Sequence, residues 1–229
     1  MSNTDRISTI RATIQNAREN APLAGYKTEL LGACKGQGAP AILRAIDQGL
    51  RLFGENRVQE AQEKWPAIKK THPNVELHLI GPLQTNKVKD ALALFDVIHT
   101  LDRPKLAKVL SDELKVLSKK NTQHLALPTQ HFFIQINTGE EPQKAGIMPA
   151  QADDFIRYCR DDLKLPVAGL MCVPPADQPA APHFALLREI ARKHGLKELS
   201  MGMSGDYETA VRMGSTCVRI GTALFGSRD

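Results

Sequence analysis

The sequence predicts a single-domain α/β fold, a (β/α)8 barrel, and three observations predict it. Eight short apolar runs alternate with segments of helical period along 229 residues, the order that builds a parallel sheet. No linker, repeat or low-complexity run divides the chain, so one core has to serve all eight units. Just beyond the apolar runs stand glycines and polar side chains, the composition expected where strand ends form a ligand-binding mouth.

The elements follow in order. Ile7, Ile10, Ile14 and Ala17 recur at spacings of three and four and predict an amphipathic helix at about 4–19. Glu29–Cys34 reads as the first buried strand, and Pro40 opens a helix to Gln48 that Gly49 closes. Leu50–Phe53 is the second strand, followed by a helix from about Asn56 to Trp65. Val75–Ile80 is the third, after which Gly81-Pro82 turns the chain into a helix reaching about Leu94. Val97–Thr100 is the fourth, with Pro104 opening a long helix to about Lys120.

His131–Asn137 is the fifth strand, and Pro149 opens the next helix. Val167–Met171 is the sixth, followed by a proline-rich loop through Pro182 and a helix ending at Gly195. Glu198–Met201 is the seventh. Asp206–Met213 is a helix closed by Gly214, Thr216–Ile220 is the eighth strand, and Thr222–Asp229 is left for a final short helix. The N-terminal helix is expected to cover the outer ring beside it. A doubly wound open sheet is the competing architecture, which the strand count disfavours.

Composition narrows the function classes. A net charge of +5 is spread along the chain with only 5% aromatic residues, which argues against a nucleic-acid surface and suits a small anionic ligand. No run approaches the roughly 20 apolar residues that cross a bilayer. The polar N-terminus carries no apolar secretion signal, and a cytoplasmic location is expected. Cys34, Cys159, Cys172 and Cys217 form neither a CxxC pair nor a metal-ligand cluster; they are expected to be reduced and buried, and no metal is expected.

Among residues at strand ends, Lys35 carries the most chemistry. It ends the apolar run LLGAC, and a lysine desolvated in a barrel mouth is a usable Schiff-base amine; a lysine snorkelling outward is the competing reading. The segments MGMSGD and RIGTALFG place Ser204 before a helix and Gly221-Thr222 after the last strand, a pairing that fits a phosphate cradle. Ser204 as a helix cap and Gly221 as a turn glycine compete with that reading. Arg219 lies inside an apolar strand and needs a partner, either a structural ion pair or a ligand. His78 reads as a satisfied core histidine, Glu140-Glu141 as a solvated loop, and Met201, Met203 and Met213 as packing residues.

Four segments carry a resemblance: FGENRVQE (Phe53–Glu60), HLIGPLQTNK (His78–Lys87), GLMCVPP (Gly169–Pro175) and the closing SMGMSGDYETAV…GSTCVRIGTALFGSRD. With them the chain resembles the pyridoxal phosphate homeostasis protein family over nearly its whole length. The resemblance implies a barrel similar to the N-terminal domain of alanine racemase, with pyridoxal 5′-phosphate held as a Schiff base on Lys35. It implies that Asn56 lines the cofactor ring, that Arg219 faces the pyridine nitrogen, and that Ser204, Gly221 and Thr222 bind the phosphate. It also implies a role in vitamin B6 and amino-acid homeostasis, with apo pyridoxal phosphate enzymes as acceptors, no membrane or nucleic-acid partner, and a monomer.

The chain departs from the family pattern beside the lysine, where Ala33-Cys34-Lys35-Gly36 replaces the usual Val-Ser-Lys-Thr. Strand alternation turns Cys34 away from Lys35, so the departure is expected to touch only the loop at Gly36–Gly38. A pyridoxal-dependent racemase is the alternative function. An arginine at the ring nitrogen, with no tyrosine at a strand end and no second domain to bring one, argues against it.

Overall fold

Side-chain alternation along eight parallel strands seals a core on one face of the sheet and leaves a second, more polar interior on the other. The strands are β1 (Glu29–Ala33), β2 (Leu52–Glu55), β3 (Glu76–Leu79), β4 (Val97–Leu101), β5 (His131–Gln135), β6 (Val167–Met171), β7 (Glu198–Ser200) and β8 (Cys217–Ile220). They pair in sequence order, and β1 pairs with β8 to close the barrel. Closure excludes the open sheet. The structure is a computed structural model that describes residues 3–22, 25–120 and 131–226.

Nine helices surround the barrel among the described residues: α1 (Asn3–Glu19), α2 (Ala39–Asp47), α3 (Val58–Thr71), α4 (Val88–Leu94), α5 (Pro104–Lys120), α6 (Ala152–Arg157), α7 (Ala180–Lys193), α8 (Tyr207–Arg212) and α9 (Thr222–Phe225). Outward strand residues such as Phe53, Leu77, Phe132 and Val218 share one buried core with helix residues such as Ile42, Trp65, Leu106 and Phe184. Burying side chains of this size stabilises each by about 1.5–3 kcal/mol. The lumen is different. Its apolar part includes the small cluster of Val97, Phe133 and Met171 and Leu31 beside Arg219, and its polar part is His78, His99, Ser200 and Arg219, all buried.

Some boundaries move for physical reasons. β2 begins at Leu52 rather than Leu50, because Gly49 (φ +82°) ends α2 and the Leu50 amide still donates to Ala45 O at 3.0 Å. The helix expected to stop at Trp65 continues to Thr71 with Pro66 inside it. Proline removes one helical donor, but Val58, Ala61, Trp65 and Ile68 are all buried on one face, and that packing outweighs the loss. The helix expected from Pro149 starts as a 3-10 turn, Pro149–Gln151, before α6. α1 packs on α2, α8 and α9 and so covers the seam where the barrel closes. The final helix ends at Phe225, against an expected Asp229; residues 227–229 lie outside the described residues.

Candidate functional site

At the C-terminal ends of the strands lies a cavity of about 450 Å³. Lys35, Asn56, Ser204, Arg219, Gly221 and Thr222 all line it, so the barrel gathers every site residue singled out from the sequence. Gln37, Ile80, Val173 and Met203 complete much of the wall. Met203, expected to pack, is instead exposed at this rim.

Lys35 stands in the turn after β1. The Cys34 amide extends the ladder to Gly54 O (2.8 Å), Gln37 N closes the turn on Cys34 O (2.8 Å), and Gly36 takes φ +73°. The lysine is exposed rather than desolvated, because it sits beyond the last ladder bond. Cys34 points the other way, fully buried, with its thiol 3.3 Å from Gly32 O. Burial, and then the nearby Glu55 carboxylate, push that thiol well above its usual pKa, so no thiolate competes with the amine.

Glu55 ends β2 facing outward and is completely buried. Its Oε1 accepts from Trp65 Nε1 (2.9 Å) and pairs with Lys64 Nζ (2.8 Å), while Lys64 also donates to Gln37 O (2.8 Å). Burial raises the carboxyl pKa against these partners. The arrangement ties the Lys35 turn to α3. Asn56 is fixed from the other side by Gly81, where a Cβ would lie 2.1 Å from Asn56 O. Only glycine permits that approach.

Ser204 does not cap α8. Gly202 (φ +97°) starts the loop, and a Cβ there would lie 2.5 Å from Ala210 Cβ. The Met203 amide donates to Asp206 Oδ1 (2.6 Å), and Asp206 takes the position before α8. That leaves Ser204 Oγ to accept from Ala223 N at 3.4 Å, bridging the loops after β7 and β8. A Cβ on Gly205 would meet nothing within 4 Å, and one on Gly221 only Ala33, at 3.4 Å. Both glycines therefore leave open space in the cradle rather than filling a packed corner.

Arg219 resolves the two readings of its partner. It is 5% exposed, donates from Nη1 to Ser200 Oγ (2.6 Å) and from Nη2 to Cys172 O (2.9 Å), and pairs with no carboxylate among the described residues. Burial draws its pKa down, yet a guanidinium remains charged in proteins. The sequence reading missed what lies beneath it. Ser200 Oγ also contacts His99 Nδ1 (2.8 Å), and His99 Nε2 contacts His78 Nδ1 (2.8 Å). Polar residues at inward positions of β3, β4, β7 and β8 were the available signal.

Among the described residues the lining thus holds two cations, Lys35 and Arg219, two hydroxyls, Ser204 and Thr222, and no carboxylate. Such a donor set suits an anion carrying a group that reacts with an amine.

Comparison with known proteins gives the same direction. The sequence model of the alanine racemase N-terminal domain matches residues 7–229. The pyridoxal phosphate homeostasis protein of Vibrio cholerae is 39% identical over 97% of this chain and 95% of its own length; that of Aquifex aeolicus is 38% identical over 98% and 97%. The structure of PipY from Synechococcus elongatus with pyridoxal phosphate bound superposes with a TM-score of 0.77 at 31% identity, covering 98% of this chain and all of that one. Alanine racemase of Clostridium difficile, at 14% identity and a TM-score of 0.70, shares the fold, and this chain covers 57% of it. The chain belongs to the family of the pyridoxal phosphate homeostasis proteins, built on the alanine racemase N-terminal domain.

Proposed function

We propose that this chain binds pyridoxal 5′-phosphate in the mouth cavity and serves the intracellular homeostasis of vitamin B6 and amino acids, without a turnover reaction of its own. The observation that carries the reading is the lining: an amine, a buried guanidinium without a carboxylate, two hydroxyls, and no acid among the described residues. The residues fit the cofactor. When bound, it supplies an aldehyde to which amines add and a ring that withdraws electrons.

Each residue has one task. Lys35 presents the primary amine that holds the aldehyde. Ser204 and Thr222 offer hydroxyls to the phosphate, with the space at Gly205 and Gly221 admitting its oxygens. Asn56, immobilised against Gly81, lines the ring, and Arg219, fixed by Ser200 Oγ and Cys172 O, faces its nitrogen. A permanently charged guanidinium there accepts no proton and opposes protonation of a neighbouring base.

Racemisation needs acid–base groups on both faces of the substrate. Among the described residues no histidine, tyrosine or carboxylate lines the cavity, and Tyr26 commits its hydroxyl to Val211 O. Lys35 alone can move a proton at the ligand. The same reading makes the chain a single-domain, cytoplasmic monomer that releases cofactor to apo pyridoxal phosphate enzymes. No described helix is long and apolar enough to cross a membrane.

The test is borohydride reduction of the protein mixed with pyridoxal phosphate, followed by peptide mass spectrometry. One adduct on Lys35, absent in Lys35→Ala, is expected. An adduct on another lysine with Lys35 unmodified overturns the assignment. Incubation with L-alanine in deuterated water tests the absence of turnover: inversion at about 1 s⁻¹ or faster, the low end of ordinary enzymes, refutes it.

A further inference from the structure

Behind the Lys35 turn lies a buried ion pair that does not line the mouth cavity. Glu55, the last residue of β2, is fully buried, and Lys64 on α3 has a side chain only 14% exposed. The Lys64 ammonium lies 2.8 Å from Glu55 Oε1, and Trp65 Nε1 donates to the same oxygen at 2.9 Å. Trp65 is held in turn by Phe53, with ring centroids 5.3 Å apart. Glu55 Oε2 is buried with no hydrogen-bond partner among the described residues. An apolar pair of the same volume often fills such a space equally well, so the charges call for a reason besides stability.

That reason stands on the other side of the ammonium. Lys64 Nζ also donates to Gln37 O at 2.8 Å. This carbonyl precedes α2, whose first amides bond to Gly38 O, so the helix leaves it for another donor. Residues 34–37 form a tight turn in which Gln37 N donates to Cys34 O at 2.8 Å. Gly36, third in the turn, takes φ +73°, the glycine position of a type II turn, and Lys35 is second. One limb is fixed to the sheet, where Cys34 N donates to Gly54 O at 2.8 Å. The other limb is fixed by Lys64, the only side chain among the described residues that bonds to the backbone of residues 34–37.

We propose that Lys64 is the positioning residue for Lys35: its bond to Gln37 O sets the pose of the turn that presents the Lys35 amine, and Glu55 holds the ammonium in place for that bond. An amine condenses with an aldehyde only when its nitrogen reaches the carbonyl carbon, its two hydrogens leaving with the aldehyde oxygen as water. Lys35 is exposed and its nitrogen ends a flexible four-carbon stem. The backbone of the turn therefore decides where that stem begins and which way it leaves. Without Lys64 the second limb is free to rotate about Gly36, where a glycine resists few backbone angles.

This inference rests on the reading of the mouth as a pyridoxal phosphate site, and the experiment separates the two. Two variants are compared with the wild type: Lys64→Met, and Lys64→Met combined with Glu55→Gln, which leaves no buried charge and keeps an acceptor for Trp65. Affinity is measured for pyridoxal 5′-phosphate and for pyridoxine 5′-phosphate, which carries an alcohol in place of the aldehyde. The preference for the aldehyde should fall about tenfold in both variants, the worth of one hydrogen bond to a charged group, while affinity for the alcohol stays within about twofold. An undiminished preference overturns the proposal. So do equal losses for both ligands, which would place Lys64 in the fold alone. If Lys64→Met does not fold, the double variant decides.

Amide hydrogen exchange of the ligand-free protein supplies a second readout. The Gln37 amide should exchange about tenfold faster in the variants, the same fold-change as in the affinity arm, while the amides of β3 keep their protection. Unchanged protection at Gln37, or an equal rise throughout the barrel, overturns the proposal. Should the wild type show no preference for the aldehyde, the reading of Lys35 fails, and the exchange measurement still decides whether Lys64 holds the turn.

Discussion

The two ends of the barrel both hold cavities, and the floor cavity is the larger, about 580 Å³ against about 450 Å³. They differ in charge. The floor mixes Glu29, Glu76 and Glu198 with Arg160, Lys197 and three histidines, and some of these groups already satisfy one another: Glu29 pairs with Lys27 at 2.5 Å and Arg160 donates to His194 O at 2.7 Å. The mouth has Lys35, Arg219 and hydroxyls with no acid among the described residues to neutralise them. A buried cation without a carboxylate is costly in a protein alone. Volume therefore does not distinguish a ligand site from a surface recess; unmatched donors do.

The contrast can be broken by removing those donors, beginning with the largest effect. Arg219→Leu takes away the buried cation and should weaken pyridoxal phosphate binding by about 100-fold, one strong charge-assisted hydrogen bond. Isothermal calorimetry measures it, and an unchanged affinity would show that the guanidinium belongs to the fold alone. Ser204→Ala combined with Thr222→Ala removes two hydroxyls worth roughly 1.5–3 kcal/mol each to a charged acceptor. Affinity for pyridoxal phosphate should fall well over tenfold while that for unphosphorylated pyridoxal stays level. Equal losses for both ligands would locate the damage in the loops rather than in phosphate binding.

A third measurement concerns the lumen between the two ends. His99 is fully buried, and its pKa lies well below the 6.5 of a free histidine. Below pH 6.5 the unfolded chain takes up a proton that the folded chain refuses, so stability falls with acidification. The contribution is about 1.4 kcal/mol for each pH unit, and it continues until the folded-state histidine itself titrates. Urea unfolding at stepped pH should show this slope in the wild type and lose it in His99→Asn. An identical slope in both would assign the acid sensitivity elsewhere.

The smallest expected effect sharpens the comparison from the other side. Lys197→Ala removes an exposed floor cation and should leave cofactor affinity within about twofold, the ordinary range for a surface substitution. A larger change would make the floor part of the binding site.

The sequence by itself determined the barrel and the residues of its mouth. Alternating apolar runs specify which strand face is buried, parallel order follows from the intervening helices, and strand ends place Lys35, Asn56, Ser204, Arg219, Gly221 and Thr222 at one end of the sheet. Only the tertiary structure decided what those residues face. Glu55 and Asn56 are neighbours in the chain, yet one anchors α3 from outside the barrel and the other lines the cavity, because β2 runs on to Glu55 and successive side chains at a strand end point to opposite faces. His78, His99, Ser200 and Arg219 lie up to 141 residues apart in number and become one hydrogen-bonded line. Periodicity reports which way a side chain points along its own strand. Which partner it meets depends on the stagger between strands that closure of the barrel sets, and no local pattern encodes that.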